Sequence, residues 1–148
     1  MPFLTELIAA CRDEVTLHGA DISVTGMTAD SRQVSPGMLF AAIPGVKLDG
    51  AKFIAQAKEK GAAAVLAQNP HPELPTLVSN NIRRSVAEMA RACYPQMPEY
   101  IMAVTGTNGK TSVADFYRQL WEVKHRAASI GTLGLLGVPA ALEAQFPA

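Results

Sequence analysis

The sequence predicts an α/β chain in two parts, a small α/β domain over residues 1–97 and the opening of a second, parallel-sheet domain over residues 98–148. Three observations predict it. From residue 38 onward, short apolar runs alternate with amphipathic helical stretches, the pattern that builds parallel sheets. The segment Pro95-Gln96-Met97-Pro98 breaks that alternation as a linker would. Beyond it, a glycine-rich turn joins an apolar run to a helix, and the rest of the chain amounts to one strand–loop–helix–strand unit. At about 50 residues such a unit is too short to bury a core alone, so the second domain is expected to be incomplete.

The elements run in order along the chain. Thr5 can cap a short helix with Leu7, Ile8 and Cys11 facing inward. Residues 22–30 read as one or two short strands, closed by the turn Ser35-Pro36-Gly37. Met38-Leu39-Phe40-Ala41-Ala42-Ile43 is an apolar strand ended by Pro44-Gly45. The loop Val46-Lys47-Leu48-Asp49-Gly50 leads into a helix through Phe53, Ile54, Ala57 and Lys60, which Gly61 stops as a C-terminal cap. Residues 62–67 and 76–78 are strands. Residues 82–94 form a helix with Val86, Met89, Ala90 and Cys93 on its apolar face. Tyr100-Ile101-Met102-Ala103-Val104 reads as a buried strand. Residues 112–124 read as a helix with Val113, Phe116, Tyr117, Leu120 and Trp121 on one face, and residues 127–131 as a further strand.

Between that strand and that helix lies Gly106-Thr107-Asn108-Gly109-Lys110-Thr111-Ser112. Glycines let the backbone turn tightly and bring N–H groups close to phosphate oxygens. The start of the helix points unpaired N–H groups and the positive end of its dipole at the same anion. Lys110 can reach outer phosphates, and the Thr111 hydroxyl is placed for Mg²⁺. The usual phosphate-loop pattern wants a glycine where Val104 stands; here the extra glycine is Gly106. The strand–turn–Lys-Thr–helix context nevertheless points to a nucleotide loop, rather than a glycine turn with no ligand.

Bulk composition narrows the classes. The chain has 148 residues, 49% hydrophobic and 18% charged, with 13 basic and 13 acidic side chains. A net charge of zero leaves no basic footprint for nucleic acid, so anion binding should be local. No apolar run reaches the length of a membrane span. The N-terminus lacks the pattern of a signal peptide, so a cytoplasmic location is expected. Cys11 and Cys93 read as free buried thiols rather than a disulfide or metal site. His18, His71 and His125 have no partners at metal spacing and receive no role.

A second motif lies upstream. Thr28-Ala29-Asp30-Ser31-Arg32-Gln33-Val34-Ser35-Pro36-Gly37-Met38-Leu39-Phe40 runs on to Gly45 and Asp49-Gly50. By itself Asp30-Ser31-Arg32 is more readily a turn whose side chains bond their own backbone, and Arg32 could pair with Asp30 or Asp49. Lys47 alone is most often a solvated surface lysine. Together with the glycine loop and Ala128-Ser129-Ile130-Gly131-Thr132-Leu133-Gly134, however, this region resembles the Mur ligase family, over roughly residues 20–137. The details are nearest the family member that adds the third peptide residue of the peptidoglycan precursor.

The resemblance implies a specific organisation. Residues 1–97 would be the domain that anchors a UDP-linked substrate, and 98–148 the truncated start of a P-loop ATPase domain. Ala29 and Ser31 would contact the uridine part, and Val46, Lys47 and Leu48 the UDP moiety. Gly106, Thr107, Asn108, Gly109, Lys110, Thr111 and Ser112 would hold ATP, with Thr111 on Mg²⁺ and Lys110 as the catalytic side chain. The partners implied are UDP-N-acetylmuramoyl-L-alanyl-D-glutamate and an amino acid, diaminopimelate or lysine. The reaction would be ATP-dependent amide formation through an acyl phosphate. The family's further substrate, metal and amino-acid-selecting motifs are not in this sequence, and residues 138–148 do not match its pattern. The chain alone is therefore expected to lack turnover. It is also expected to leave Phe116, Leu120 and Trp121 exposed or packed against the first domain. Two alternatives remain: a non-catalytic UDP-sugar or nucleotide-binding module, and another Mur-type or folylpolyglutamate-type ligase. A regulatory GTPase is disfavoured, since no guanine-reading Asn-Lys-x-Asp run comes after the loop.

Overall fold

A computed structural model describes residues 1–45, 49–96 and 98–137. The chain divides into two compact units, Met1–Met97 and Pro98–Ala148.

The first unit is a five-stranded sheet between helices. Its strands are β1 (Val15–His18), β2 (Met27–Thr28), β3 (Leu39–Ala41), β4 (Ala64–Ala67) and β5 (Thr76–Ser79), in the order β1-β5-β4-β3-β2. All neighbours are parallel except β1, which runs antiparallel to β5. Alternation along the strands sorts side chains to two faces. Leu39, Ala41, Ala64, Leu66 and Leu77 join Leu4 and Leu7 of helix α1 (Leu4–Ala9) and Ile82 and Met89 of α3 (Ile82–Cys93) in one core. Phe40, Val65 and Ala67 join Ile54 and Ala57 of α2 (Ile54–Glu59) in the other. Strands buried on both faces read as continuous apolar runs, which is why β3 and β4 are legible in the sequence.

One expectation needs correction in this unit. Thr5 does not cap α1: Phe3 holds the cap position, Glu6 Oε2 accepts from the Phe3 N–H at 2.7 Å, and the Thr5 hydroxyl instead donates to Asp21 at 2.7 Å. The unit also contains a strand that the sequence pattern does not predict, β1, an edge strand that gains its place only by pairing with β5. Elsewhere the expected elements form. The helix through Ala57 begins as a 3-10 turn, Gly50–Phe53, continues as α2, and stops at Gly61, whose φ is +91°. Cys11 and Cys93 are free and half-buried, and burial pushes both thiols up, so they remain protonated. For Cys11, Glu88 and Asp13 add to that effect.

The second unit contains α4 (Lys110–Glu122) and a hairpin of β6 (Ser129–Gly131) and β7 (Gly134–Leu136). The expected strand over residues 100–104 does not form. No described strand pairs with it, and Tyr100 and Ile101 are each 69% exposed. A strand needs a neighbour for its N–H and C=O groups, whatever its side chains favour. The helix forms as expected, yet α4 buries none of its residues. Phe116 is 64% exposed and Leu120 74%. Trp121 is half-buried within an aromatic group, stacked on Tyr117 and His125 and edge-on to Tyr100. Among the described residues, no helix is long and apolar enough to cross a membrane.

Candidate functional sites

The first site is the turn that comes after β2. Parallel pairing of β2 with β3 brings the segments after both strands to the same end of the sheet. The carboxyl ends of parallel strands are where open α/β sheets gather ligands. Asp30 organises the turn. Its carbonyl accepts from Gln33 N–H at 3.0 Å, and its Oδ1 accepts from Arg32 N–H at 2.9 Å. The Arg32 guanidinium grips the same carboxylate, with Nη2 2.8 Å from Oδ2. Asp30 is thus the partner of Arg32, out of the two considered. These bonds hold the Asp30 carboxyl below its ordinary range, first through the Arg32 side chain and then through its backbone N–H. The same contact raises the Arg32 guanidinium.

The turn is also tied to α2. The Ser31 hydroxyl donates to Gln56 Oε1 at 2.7 Å, and Lys60 Nζ donates to the Arg32 carbonyl at 2.8 Å. Ser31 retains 8% of its surface, while Ala29 is exposed. Nothing in the sequence singles out Gln56 and Lys60. Their i,i+4 spacing puts them on one helix face, but only the folded turn shows what that face meets.

The second loop, after β3, is pinched at its base. Pro44 and Asp49 form an isolated antiparallel bridge, and Gly50 N–H donates to the Ile43 carbonyl at 3.1 Å. A Cβ on Gly50 would lie 2.6 Å from the Ile43 backbone N and O, so only glycine fits there. The Asp49 carboxylate accepts from Ala51 N–H at 3.0 Å and starts the 3-10 turn. Val46, Lys47 and Leu48, the expected UDP contacts, lie outside the described residues, as do residues 138–148.

The glycine loop forms the other candidate site. Gly106 and Gly109 have φ of +144° and +75°, and Gly109 takes the N-cap position of α4 with no side chain capping the helix. No side chain caps the first-turn N–H groups, the arrangement a phosphate site requires. Thr107, Asn108, Lys110 and Ser112 are exposed, and Thr111 is half-buried. Lys110 Nζ folds back onto the loop, donating to the Gly106 carbonyl at 2.6 Å and to that of Thr107 at 3.3 Å. The Thr111 hydroxyl meets that of Thr132, in the β6–β7 turn, at 2.9 Å. Among the described residues no group of three His, Cys, Asp or Glu could hold a metal ion. A magnesium ion here would have Thr111 as its protein ligand and take the rest from phosphates and water, a mode Mg²⁺ favours.

Comparison with known proteins bears on the family. A family model described as the Mur ligase family, catalytic domain, matches residues 23–103. The chain is 49% identical over 120 residues to a UDP-N-acetylmuramoyl-L-alanyl-D-glutamate–2,6-diaminopimelate ligase of Caulobacter vibrioides, and 48% identical over 122 residues to the same ligase of Zymomonas mobilis. Each match covers 78% of this chain, and 25% and 24% of those proteins, so the chain spans about a quarter of their length. Among solved structures, MurF of Acinetobacter baumannii superposes with a TM-score of 0.65 at 21% identity, over 87% of this chain and 29% of that one. MurF of Thermotoga maritima in complex with ADP gives 0.59 at 25% identity, over 68% and 24%. A structure of a UDP-N-acetylmuramoyl-L-alanyl-D-glutamate–2,6-diaminopimelate ligase gives 0.60 at 28%, over 78% and 25%. With a family model spanning more than half of its residues, the chain belongs to the Mur ligase family.

Proposed function

We propose that this chain is the UDP-substrate-anchoring and phosphate-loop part of an ATP-dependent amide ligase of peptidoglycan precursor synthesis. In this reading, residues 1–97 anchor UDP-N-acetylmuramoyl-L-alanyl-D-glutamate, and residues 98–148 begin the ATPase domain. The observation that carries it is the pair of motifs in one chain: a turn locked at the carboxyl end of a parallel sheet, and an uncapped glycine loop leading into α4. The identity to diaminopimelate-adding ligases supports the third residue as the one added, and the ADP complex of a structural neighbour supports ATP as the phosphoryl donor.

The chemistry is built from the residues. The γ-phosphoryl group of ATP passes to a free carboxylate of the substrate's terminal glutamyl residue, giving an acyl phosphate and ADP. The amine nitrogen of the incoming amino acid then attacks the acyl carbon. The carbon–oxygen bond to phosphate breaks, inorganic phosphate leaves, and the nitrogen gives up a proton. Transfer of a phosphoryl group needs little covalent help from the protein, only positioning and charge stabilisation. The free N–H groups of the α4 first turn and Gly109 cradle the phosphates. Lys110 exchanges its loop carbonyls for phosphate oxygens, which attract an ammonium more strongly than neutral carbonyls do. Thr111 is the residue that would hold Mg²⁺, which would supply further charge neutralisation.

In this reading the 148 residues alone bind without turning over. An ADP-release assay with the UDP-dipeptide, diaminopimelate and Mg-ATP is expected to show no substrate-dependent rate. A rate that depends on both substrate and amino acid would overturn that reading.

A further inference from the structure

The turn Asp30-Ser31-Arg32 is held from outside as well as from within. Gln56 and Lys60, one helical turn apart, take hold of Ser31 and of the Arg32 carbonyl. The consequence lies in how the proton of Ser31 is used. A serine hydroxyl carries one proton and two lone pairs. In the structure the Ser31 proton goes to Gln56 Oε1 at 2.7 Å, and the residue keeps 8% of its surface. While that bond stands, Ser31 Oγ can only accept from a ligand. That excludes the diphosphate as its partner, since phosphate oxygens at neutral pH also only accept. On a uridine nucleotide the remaining donors are the ribose hydroxyls and the N3–H of uracil. A ribose hydroxyl can both give and take a hydrogen bond. The imide N3–H is a fixed donor and matches a fixed acceptor.

We propose that Gln56 is a specificity-determining positioning residue: by taking the Ser31 proton, it makes Ser31 Oγ an acceptor for the uracil N3–H and sets the site against cytosine, whose N3 is itself an acceptor. The inference rests on the reading of residues 1–97 as a uridine-nucleotide site. Mispairing two acceptors leaves both unsatisfied, and such a fault is worth about a factor of ten in affinity or more. Lys60 has a different part. It fixes the turn through a backbone carbonyl and so acts on both bases alike.

The test uses calorimetric titration of the full chain with UDP and, separately, CDP. Wild type is expected to favour UDP by about tenfold or more. Gln56→Leu frees the Ser31 proton, so UDP binding weakens, CDP binding strengthens and the preference collapses. Gln56→Met is a second apolar variant with the same expectation, and because Gln56 is exposed neither should disturb the core. Gln56→Glu keeps an acceptor at the same position and is expected to keep the preference, whatever its added charge does to both affinities. Lys60→Met is expected to weaken both ligands and leave their ratio alone. An unchanged preference in Gln56→Leu and Gln56→Met, or one lost in Gln56→Glu, would overturn the inference. If UDP binds and Ser31→Ala abolishes it while the ratio ignores Gln56, only the role of Gln56 falls. If UDP does not bind at all, the uridine reading itself falls, and the inference with it.

Discussion

Helices α3 and α4 are nearly the same length and both amphipathic, yet their fates differ. α3 buries Ile82, Ser85 and Met89 against the five-stranded sheet; α4 buries nothing, though it carries Val113, Phe116, Tyr117, Leu120 and Trp121. Propensity and local hydrogen bonds shape a helix, but most helical stability in proteins comes from packing the apolar face. The Met1–Met97 unit supplies that packing through two cores, one on each side of its sheet. The Pro98–Ala148 unit offers its helix a two-stranded hairpin and no described strand beside residues 100–104. The stability of this chain should accordingly reside in the first unit.

The largest expected effect tests that contrast directly. Leu66 is fully buried in β4, so Leu66→Ala should cost about 2–5 kcal/mol of unfolding free energy, from lost transfer energy and the cavity left behind. Leu120→Ala removes the same atoms from a surface already in water and should change stability by no more than about 0.5 kcal/mol. Urea unfolding followed by far-ultraviolet circular dichroism measures both. Equal costs would mean that α4 is packed in solution.

A smaller effect probes how α3 is held. Ser79 of β5 and Ser85 of α3 share a buried hydroxyl–hydroxyl bond at 2.7 Å, and Ser85 also donates to the Asn81 carbonyl. Ser85→Ala leaves the Ser79 hydroxyl with one partner fewer in the dry interior and should cost about 1–3 kcal/mol in the same unfolding measurement.

The smallest effect concerns pH. The Arg32 contact lowers the Asp30 carboxyl below its ordinary range. A depressed carboxylate stabilises the fold above its unfolded value, and that contribution is lost as pH falls through the lowered one. The turn is open to solvent, so the effect on global stability should be slight. Substrate affinity should nevertheless fall on acidification below the ordinary aspartate range, and Arg32→Gln should shift that fall to higher pH. Titrations across an acid series read it out.

Much of the molecule is legible in its sequence, and the failures share a cause. Strands β3 and β4 and helix α3 can be read because their burial pattern is written in consecutive residues. The turn into α4 is legible for the same reason, since Gly106, Gly109, Lys110 and Thr111 are close neighbours in the sequence. The absence of a strand over residues 100–104 is not legible, because apolar side chains cannot report whether a partner strand is present. Edge strand β1 depends on β5, some 60 residues away, for its identity. Likewise the partners of Ser31 and Arg32 stand 25 and 28 residues downstream, and no local pattern announces them.

The first unit, on this account, holds a UDP-substrate site that works without the glycine loop. Calorimetric titration of the full chain with UDP-N-acetylmuramoyl-L-alanyl-D-glutamate, beside Ser31→Ala and Lys110→Ala, tests that claim most directly. Binding that Ser31→Ala abolishes and Lys110→Ala leaves intact is the predicted result. Absence of binding, or binding indifferent to Ser31→Ala, would contradict it.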